Sequence, residues 1–507
     1  MERTRHLLRS SVIVIVLLGL GKVTGLIRTR LVSSAFGTST DFDAFTAANQ
    51  LPEVFVTLIS GGALAAAFIP VYSAYLTSNR NRESAQLANS ILTLVMLILG
   101  SISLIGILLS NWITRTLLVP DFPVELQKLT AEIMRVILLQ TTLFGISGVL
   151  SSILNAHQHF ALPALAPVTL DIGYVIGLIF FVPSMGITGL AWGTVVGGLL
   201  HILIQVPAIR RFDFRYHLEI LIRLSGVKEV IRLMIPRIVT LGSVQIADLF
   251  IIRLTSGLTA GSTSGYFYGY YLMQLPETLL GTAIAIVVFP TMAELFNAGD
   301  IDGLKRTSMN ALRIIWFLTV PASVALVLLG QPAIALFLEQ GAFTETSTRL
   351  VYGILIFFSV RVISEASLEI LARLFYAQHD TRTPMFVALG WLVTNIALAY
   401  LFIGILDVRG LALASTIAFT LQSLVLYILN RRRLGYLYEH ELLLSAGRAL
   451  VGALGMALTI IIVGFFVDSN LILLVVGGAA GLAAYFIITT FTGAREIPTL
   501  IRLIRDR

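Results

Sequence analysis

Cysteine is absent from the 507-residue chain, which excludes disulfides and thiolate metal sites. Charge is scarce. Only 12% of residues are Asp, Glu, Lys or Arg, against about 25% in a soluble domain. So few charges cannot coat a water-facing surface of this size. Long polar stretches are also missing. The longest polar connection is "AIRRFDFRYHLEILIRLSGVK", residues 208–228. It is basic and partly amphipathic, suited to an anionic membrane surface. The chain lacks a Walker A sequence, so ATP hydrolysis is not expected. "GLGKVTG" does not have G-x-G-x-x-G spacing. His157 and His159 have no further candidate metal ligands nearby in sequence. Neither an enzyme nor a resident metal is expected.

Apolar residues dominate, at 57%, with a mean hydropathy of +0.90. The composition is that of an all-α polytopic membrane protein. The start "MERTRHLLRSS" has the charge of a signal peptide's first region. No A-x-A-like cleavage site follows, so an uncleaved first span is expected. A span needs about 20 mostly apolar residues. Fourteen such segments are centred near residues 22, 62, 98, 142, 172, 197, 243, 281, 322, 362, 394, 420, 455 and 482.

The loops orient these spans. With the N-terminus inside, inner segments hold Arg3, Arg5, Arg9, Arg80, Arg82, Arg210, Arg211, Arg215, Arg223, Lys228, Lys305, Arg306, Arg382, Arg431, Arg432, Arg433, Arg502, Arg505 and Arg507. Outer loops hold Arg115 and Arg409, with Lys128 and Arg349 at helix edges. This asymmetry follows the positive-inside rule and places both termini in the cytoplasm. It also accounts for the net charge of +7 without a nucleic-acid partner.

The two halves resemble each other. "NAHQHFALP" at 155–163 answers "YAQHDTRTP" at 376–384, and "GLAWGTVVG" at 189–197 answers "GLALASTIA" at 410–418. These two pairs share one offset along the chain. "LPEVF" at 51–55 answers "LPETL" at 275–279 at nearly the same offset. Ordered matches of this kind indicate duplication. Each copy has six spans, so the copies enter the membrane in the same direction, as parallel repeats. The expected organisation is an N-terminal lobe over residues 1–220, a C-terminal lobe over 221–436 and two extra spans over 437–507. A cleft between two such bundles could open to alternate sides by rocking.

Charges within spans are costly, roughly 2.5–3.5 kcal/mol at the centre on insertion scales, and therefore candidate functional residues. "GLGKVTGLIRTR", residues 19–30, carries Lys22, Arg28 and Arg30. Arg30 sits near the outer end, where it can snorkel. Two readings stand for Lys22 and Arg28: an interhelical ion pair with Asp43 or Glu53, or a cationic cleft that receives an anion. Arg237, next to Pro236, and Arg253 supply further cations in the second copy. The segment "RVISEASLEILAR" places Arg361, Glu365, Glu369 and Arg373 at successive i+4 positions. Its expected role is a structural or gating stripe, paired internally.

The block "GLIRTRLVSSAFGTSTDFDAFTAANQLPEVFVTLISGGALAAAFIPVYSAY", residues 25–75, resembles the MviN/MurJ family. So do "GSTSGYFYGYYLMQLPETLLGTAIAIVVFP" at 261–290 and "ILARLFYAQHDTRTP" at 370–384. These are lipid II flippases within the multidrug/oligosaccharidyl-lipid/polysaccharide exporter superfamily. The resemblance implies two six-helix lobes in a V, with two C-terminal helices beside a lipid groove. It also implies alternating access in the bacterial inner membrane. The implied partners are a polyprenyl-pyrophosphate-linked saccharide and membrane lipids, and the implied unit is a monomer. No cofactor is implied beyond a coupling cation of unknown identity.

By position, Arg28 matches a functional family arginine, and Lys22 stands where another arginine is common. Asp43 matches the acid of "DAF" and Ser264 a cavity serine. Val56 and Tyr271 stand where the family typically has arginine, and Gln274 replaces an acid. Arg237 or Arg253 would supply the replacement charge. The expected substrate site is thus Lys22, Arg28, Asp43, Ser264, Arg237 and Arg253. The alternatives are export of another polyprenyl-linked glycan or small amphiphile, and a non-transporting membrane scaffold.

Overall fold

The computed structural model describes residues 2–61, 63–78, 80–212, 214–494 and 496. Helices fill nearly all of them, and the described residues contain no β-strand. Hydrocarbon cannot satisfy backbone N–H and C=O groups, so spanning segments must bond internally, and helices do so. Large apolar side chains cover the outside: Leu108, Phe180, Val393, Leu454, Phe465 and Phe491 are all well exposed. In water such a surface would aggregate; in lipid it is the solvated face.

The chain forms two compact units, Met1–Thr263 and Ser264–Arg507. The first holds α1 (Glu2–Phe36), α2 (Thr40–Phe55), α3 (Ala63–Thr77), α4 (Asn81–Ile113) and α5 (Val124–Ala156). It continues with α6 (Ala161–Ile176), α7 (Val182–Met185), α8 (Ile187–Leu203), α9 (Val206–Arg210) and α10 (Ser225–Thr255). Helix α5 is central, packing on α2, α4 and α8. Helix α6 packs against both α1 and α8. Glycine makes the α6–α8 crossing close: a Cβ on Gly173 would fall 2.3 Å from the Gly197 Cα, and one on Gly177 2.7 Å from the Gly193 Cα. Small residues at such crossings let backbones approach.

Helix α10 begins the second repeat in sequence yet packs on α3, α2 and α4. Its two parts, Ser225–Val239 and Leu241–Thr255, meet at 42°. Pro236 removes a backbone donor and Gly242–Ser243 follows, the residue types found at helix bends. Ahead of α10, the irregular basic segment lies along α4. The N–H groups of His217 and Leu221 donate to Asn89 Oδ1 and Ser90 Oγ, each at 3.2 Å. Buried side chains of α4 thus satisfy a backbone that has no ladder of its own.

The second unit holds α11 (Ser262–Glu277, from Ser264 onward), α12 (Ala283–Asn297), α13 (Ile301–Leu338), α14 (Glu345–Ser359) and α15 (Arg361–Ala377). Then come α16 (Arg382–Leu434), α17 (Glu439–Phe466), α18 (Asn470–Ile472) and α19 (Gly478–Phe491). The last long pair, α17 and α19, packs together and against α13. Tyr485 of α19 donates its hydroxyl to the Phe317 carbonyl of α13 at 2.5 Å.

Local backbone geometry repeats along with the sequence. Gly37 and Gly261 both take positive φ, at the offset that relates "LPEVF" to "LPETL". Gln158 and His379 do so at φ 59°, equivalent positions within "NAHQHFALP" and "YAQHDTRTP". At the offset of that second pair, Gly186 has φ 57°, ψ −142° and Asp407 has φ 50°, ψ −140°. A π-helical turn follows Pro52 (Val56–Gly61) and another follows Pro276 (Thr278–Thr282).

Ten helical rods among the described residues are long and apolar enough to span, or eleven with the bent α10. One of the ten is the 53-residue α16. At 1.5 Å per residue it would reach roughly 80 Å, more than twice the hydrocarbon core. The non-helical Asp407 breaks it into two helices, at the position where Gly186 separates α7 from α8.

Candidate functional site

Among the described residues, the first unit brings a charged cluster together on α1 and α6. Thr24 and Arg28 lie one helical turn apart on α1 and grip the two oxygens of Asp171 on α6. Thr24 Oγ1 donates to Oδ2 at 2.6 Å, and Arg28 Nη1 meets Oδ1 at 3.1 Å. Gly25 keeps this face of α1 bare; a Cβ there would reach Asp171 at 4.0 Å. One turn along α6, Tyr174 presents its ring 4.9 Å from the Arg28 guanidinium carbon. Phe45 of α2 packs edge-on against that ring. Glu53 of α2 lies within the electrostatic reach of Arg28 and accepts a hydrogen bond from Asn49.

Asp171 is 9% exposed, whereas the Arg28 side chain is 32% exposed. The guanidinium has five donors in a fixed fork. Among the described residues only Nη1 meets a carboxylate. Of the two readings of Arg28, the ion pair is present, but its partner is Asp171 rather than Asp43 or Glu53. Its signal was available: a lone acid in the apolar run "TLDIGYVIG".

The other candidates are spread out. Lys22 is exposed and has no ion pair among the described residues. Six positions from Arg28 at about 100° each, it points about 120° away around α1. Asp43 is buried, and its Oδ2 accepts the Gly261 N–H at 2.6 Å, tying α2 to the turn before α11. Arg253 donates from Nη1 to the carbonyls of Thr116 and Leu117, at 2.6 and 3.3 Å, where the α4 rod ends. It serves there as a cap for carbonyls that have no helical partner. Arg237 is exposed, just before the bend in α10. Val56 lies at the start of the first π-helical turn, Tyr271 is exposed on α11, and Ser264 is buried at the head of the second unit.

The second unit builds the polar stripe expected on α15. Arg361 pairs with Glu365 at 2.8 Å and donates to Ser415 of α16 at 2.8 Å. Its guanidinium carbon lies 4.0 Å from the Phe419 ring and 5.1 Å from Tyr270. Gln274 of α11 donates to Glu365 at 3.1 Å and to the Tyr270 hydroxyl at 3.0 Å. Glu369 pairs with Arg373 one turn further along. Arg361 is 5% exposed and surrounded by partners. The stripe therefore joins α11, α15 and α16. Outside the spans, Asp380 is held below the usual carboxylate range by the Thr383 N–H, the Thr383 hydroxyl and Arg433.

Comparison with known proteins gives the family. A family profile described as "Lipid II flippase MurJ" matches residues 32–476. The lipid II flippase MurJ of Burkholderia cenocepacia is 27% identical over 426 residues, 82% of each chain. The probable lipid II flippase MurJ of Rhizobium tropici is 27% identical over 503 residues, 96% of this chain and 94% of that one. Among solved structures, a lipid II flippase MurJ in an inward closed conformation superposes with a TM-score of 0.81. Its identity is 23%, and 95% of this chain and 98% of that one are covered. An inward-facing multidrug resistance MATE transporter superposes with a TM-score of 0.71, at 16% identity, over 84% of this chain and 99% of that one. The described helices, the repeated backbone turns and the profile match agree: the chain belongs to the MurJ lipid II flippase family.

Proposed function

We propose that this multi-pass membrane protein translocates a polyprenyl-pyrophosphate-linked saccharide, lipid II, across the bacterial inner membrane. It does so by alternating access, as a monomer with fourteen spans and both termini in the cytoplasm. The observation that carries the reading at residue level is Arg28. It is a cation on an apolar helix, paired with Asp171, which Thr24 holds in turn, and its side chain stays a third exposed. Pyrophosphate oxygens accept charge-assisted hydrogen bonds from such a fork. The desolvation cost of the cation is offset when the anion arrives. Lys22 adds long-range attraction from a second face of the same helix, and Arg237 does so from α10.

A second reading rests on the resemblance, which implies arginines where Val56 and Tyr271 stand; Tyr271 is half exposed. A site with fewer cations suits another polyprenyl-linked glycan. Reconstitution with labelled lipid II and with related lipid-linked sugars, scoring the translocation of each, tests both readings. Lipid II translocation supports the first. Movement of another lipid-linked sugar alone supports the second. Movement of none leaves only a scaffold.

A further inference from the structure

Glu277 is the one buried carboxylate of the second unit's stripe region that neither guanidinium there takes as an ion-pair partner. It follows Pro276 at the end of α11, 3% exposed. Its oxygens meet hydroxyls: Thr282 Oγ1 at 3.2 Å and Thr278 Oγ1 at 3.5 Å. The π-helical turn Thr278–Thr282 presses on α15. A Cβ on Gly281 would fall 2.6 Å from the Ala366 Cβ and 2.9 Å from Glu277 Oε1. The charged groups facing Glu277 all come from α15: Glu365 and Glu369 of like sign, and Arg361 of opposite sign. Helix α13 also packs on this turn, and its residues 314–338 carry no charge.

The charges near this turn do not balance. Three carboxylates, Glu277, Glu365 and Glu369, share two guanidiniums. Arg361 is engaged by Glu365 and Ser415, and Arg373 by Glu369. The equivalent acid of the first repeat, Glu53, has Arg28 nearby and Asn49 as a donor. Glu277 has Arg361 nearby in the same way, already held by Glu365, but its oxygens meet only threonine hydroxyls and no amide donor like Asn49. The threonine hydroxyls donate to the carboxyl group, but burial beside two like charges and outside any ion pair outweighs them, and such a group takes up a proton. Single π-helical turns within α-helices recur at functional sites.

We infer that Glu277 is a proton-binding site: its carboxyl group is neutral in this arrangement, and it releases the proton when α15 separates from the π-helical turn. The step is carboxyl to carboxylate plus a proton, with no other reactant. Its link to transport rests on the flippase reading, but the protonation itself does not.

The test uses the purified full-length protein in nanodiscs, without substrate. Infrared titration reads the C=O stretch of protonated carboxyl groups near neutral pH. The expected result is a band that disappears in Glu277→Gln and persists in Glu365→Gln. Glu277→Gln, which mimics the neutral acid, should melt at or above the wild-type temperature at pH 7, whereas Glu365→Gln should melt lower. A band unchanged by Glu277→Gln overturns the assignment. So does a Glu277→Gln protein that melts well below wild type or cannot be purified folded, since an ionised, paired carboxylate would behave that way. In liposomes, an imposed pH gradient should alter lipid II translocation by wild type and not by Glu277→Gln. If the infrared result holds and no lipid moves in any protein, the flippase reading fails and the proton site stands.

Discussion

Arg28 and Arg361 each lie within an apolar helix and each face a carboxylate, at 3.1 and 2.8 Å. Their surroundings differ. Asp171 and Thr24 hold one edge of the first cluster and leave the Arg28 side chain a third exposed. Around Arg361 a serine, a carboxylate and three aromatic rings leave little of the side chain open. The same side chain thus sits in two settings. On the proposed reading, a guanidinium with unspent donors takes a ligand; one whose donors are met locks helices together. In the first half the polar contact is made between distant helices. In the second it is made along one helix and then reaches out to two others.

The largest expected effect tests the locked cluster. Arg361→Ala leaves Glu365 buried without its cation and should cost about 3–5 kcal/mol, read as a fall in melting temperature. Replacing the pair together, as Arg361→Met with Glu365→Leu, should recover most of that loss, since a well-packed apolar pair often equals a buried ion pair. If Arg361→Ala melts like wild type, the contrast with Arg28 disappears.

A smaller effect sharpens the comparison of the repeats. Gly186 and Asp407 share a backbone conformation that suits glycine and strains other residues. Asp407→Gly should stabilise the protein by about 1 kcal/mol, and Gly186→Ala should destabilise it by at least as much. Equal melting temperatures for Asp407→Gly and wild type would mean that the second half has relaxed the turn.

The smallest effect lies outside the spans. Asp380 caps α16 and pairs with Arg433, whereas His159, its counterpart in the first repeat, precedes a helix whose start has no side-chain cap. Asp380→Ala should cost about 1 kcal/mol at neutral pH. Because the folded carboxyl titrates below its ordinary value of 3.8, this contribution is complete above that value. It is lost as pH falls through the lower, folded value. Melting curves of wild type and Asp380→Ala should therefore converge in acid. A gap that persists there would assign the effect to packing.

Much of the fold was legible in the sequence because its signals are local. Apolar runs mark helices, and ordered matches at nearly one offset mark a repeat whose backbone turns then coincide. The stripe from Arg361 to Arg373 was legible because i,i+4 spacing fixes which side chains meet on one helix. The partner of Arg28 was not. Asp171 lies five helices further along the chain, and the pairing depends on how α6, seated closely on α8 by glycines, meets α1. No periodicity encodes that. The cap that Arg253 places on the α4 rod was hidden for the same reason. The break at Asp407 was hidden because no glycine or proline stands there; only the comparison with Gly186 exposes it.

On the proposed reading, Arg28 keeps donors free for a pyrophosphate-bearing lipid head. Binding of lipid II to the protein in nanodiscs, wild type against Arg28→Gln, measures this most directly, with inorganic pyrophosphate as competitor and melting temperature as a control for folding. The account predicts at least roughly tenfold weaker lipid II binding by Arg28→Gln, corresponding to about 1.4 kcal/mol or more, and loss of pyrophosphate competition in a folded protein. Unchanged affinity with unchanged competition would contradict it, and would leave Arg28 as a partner of Asp171 alone.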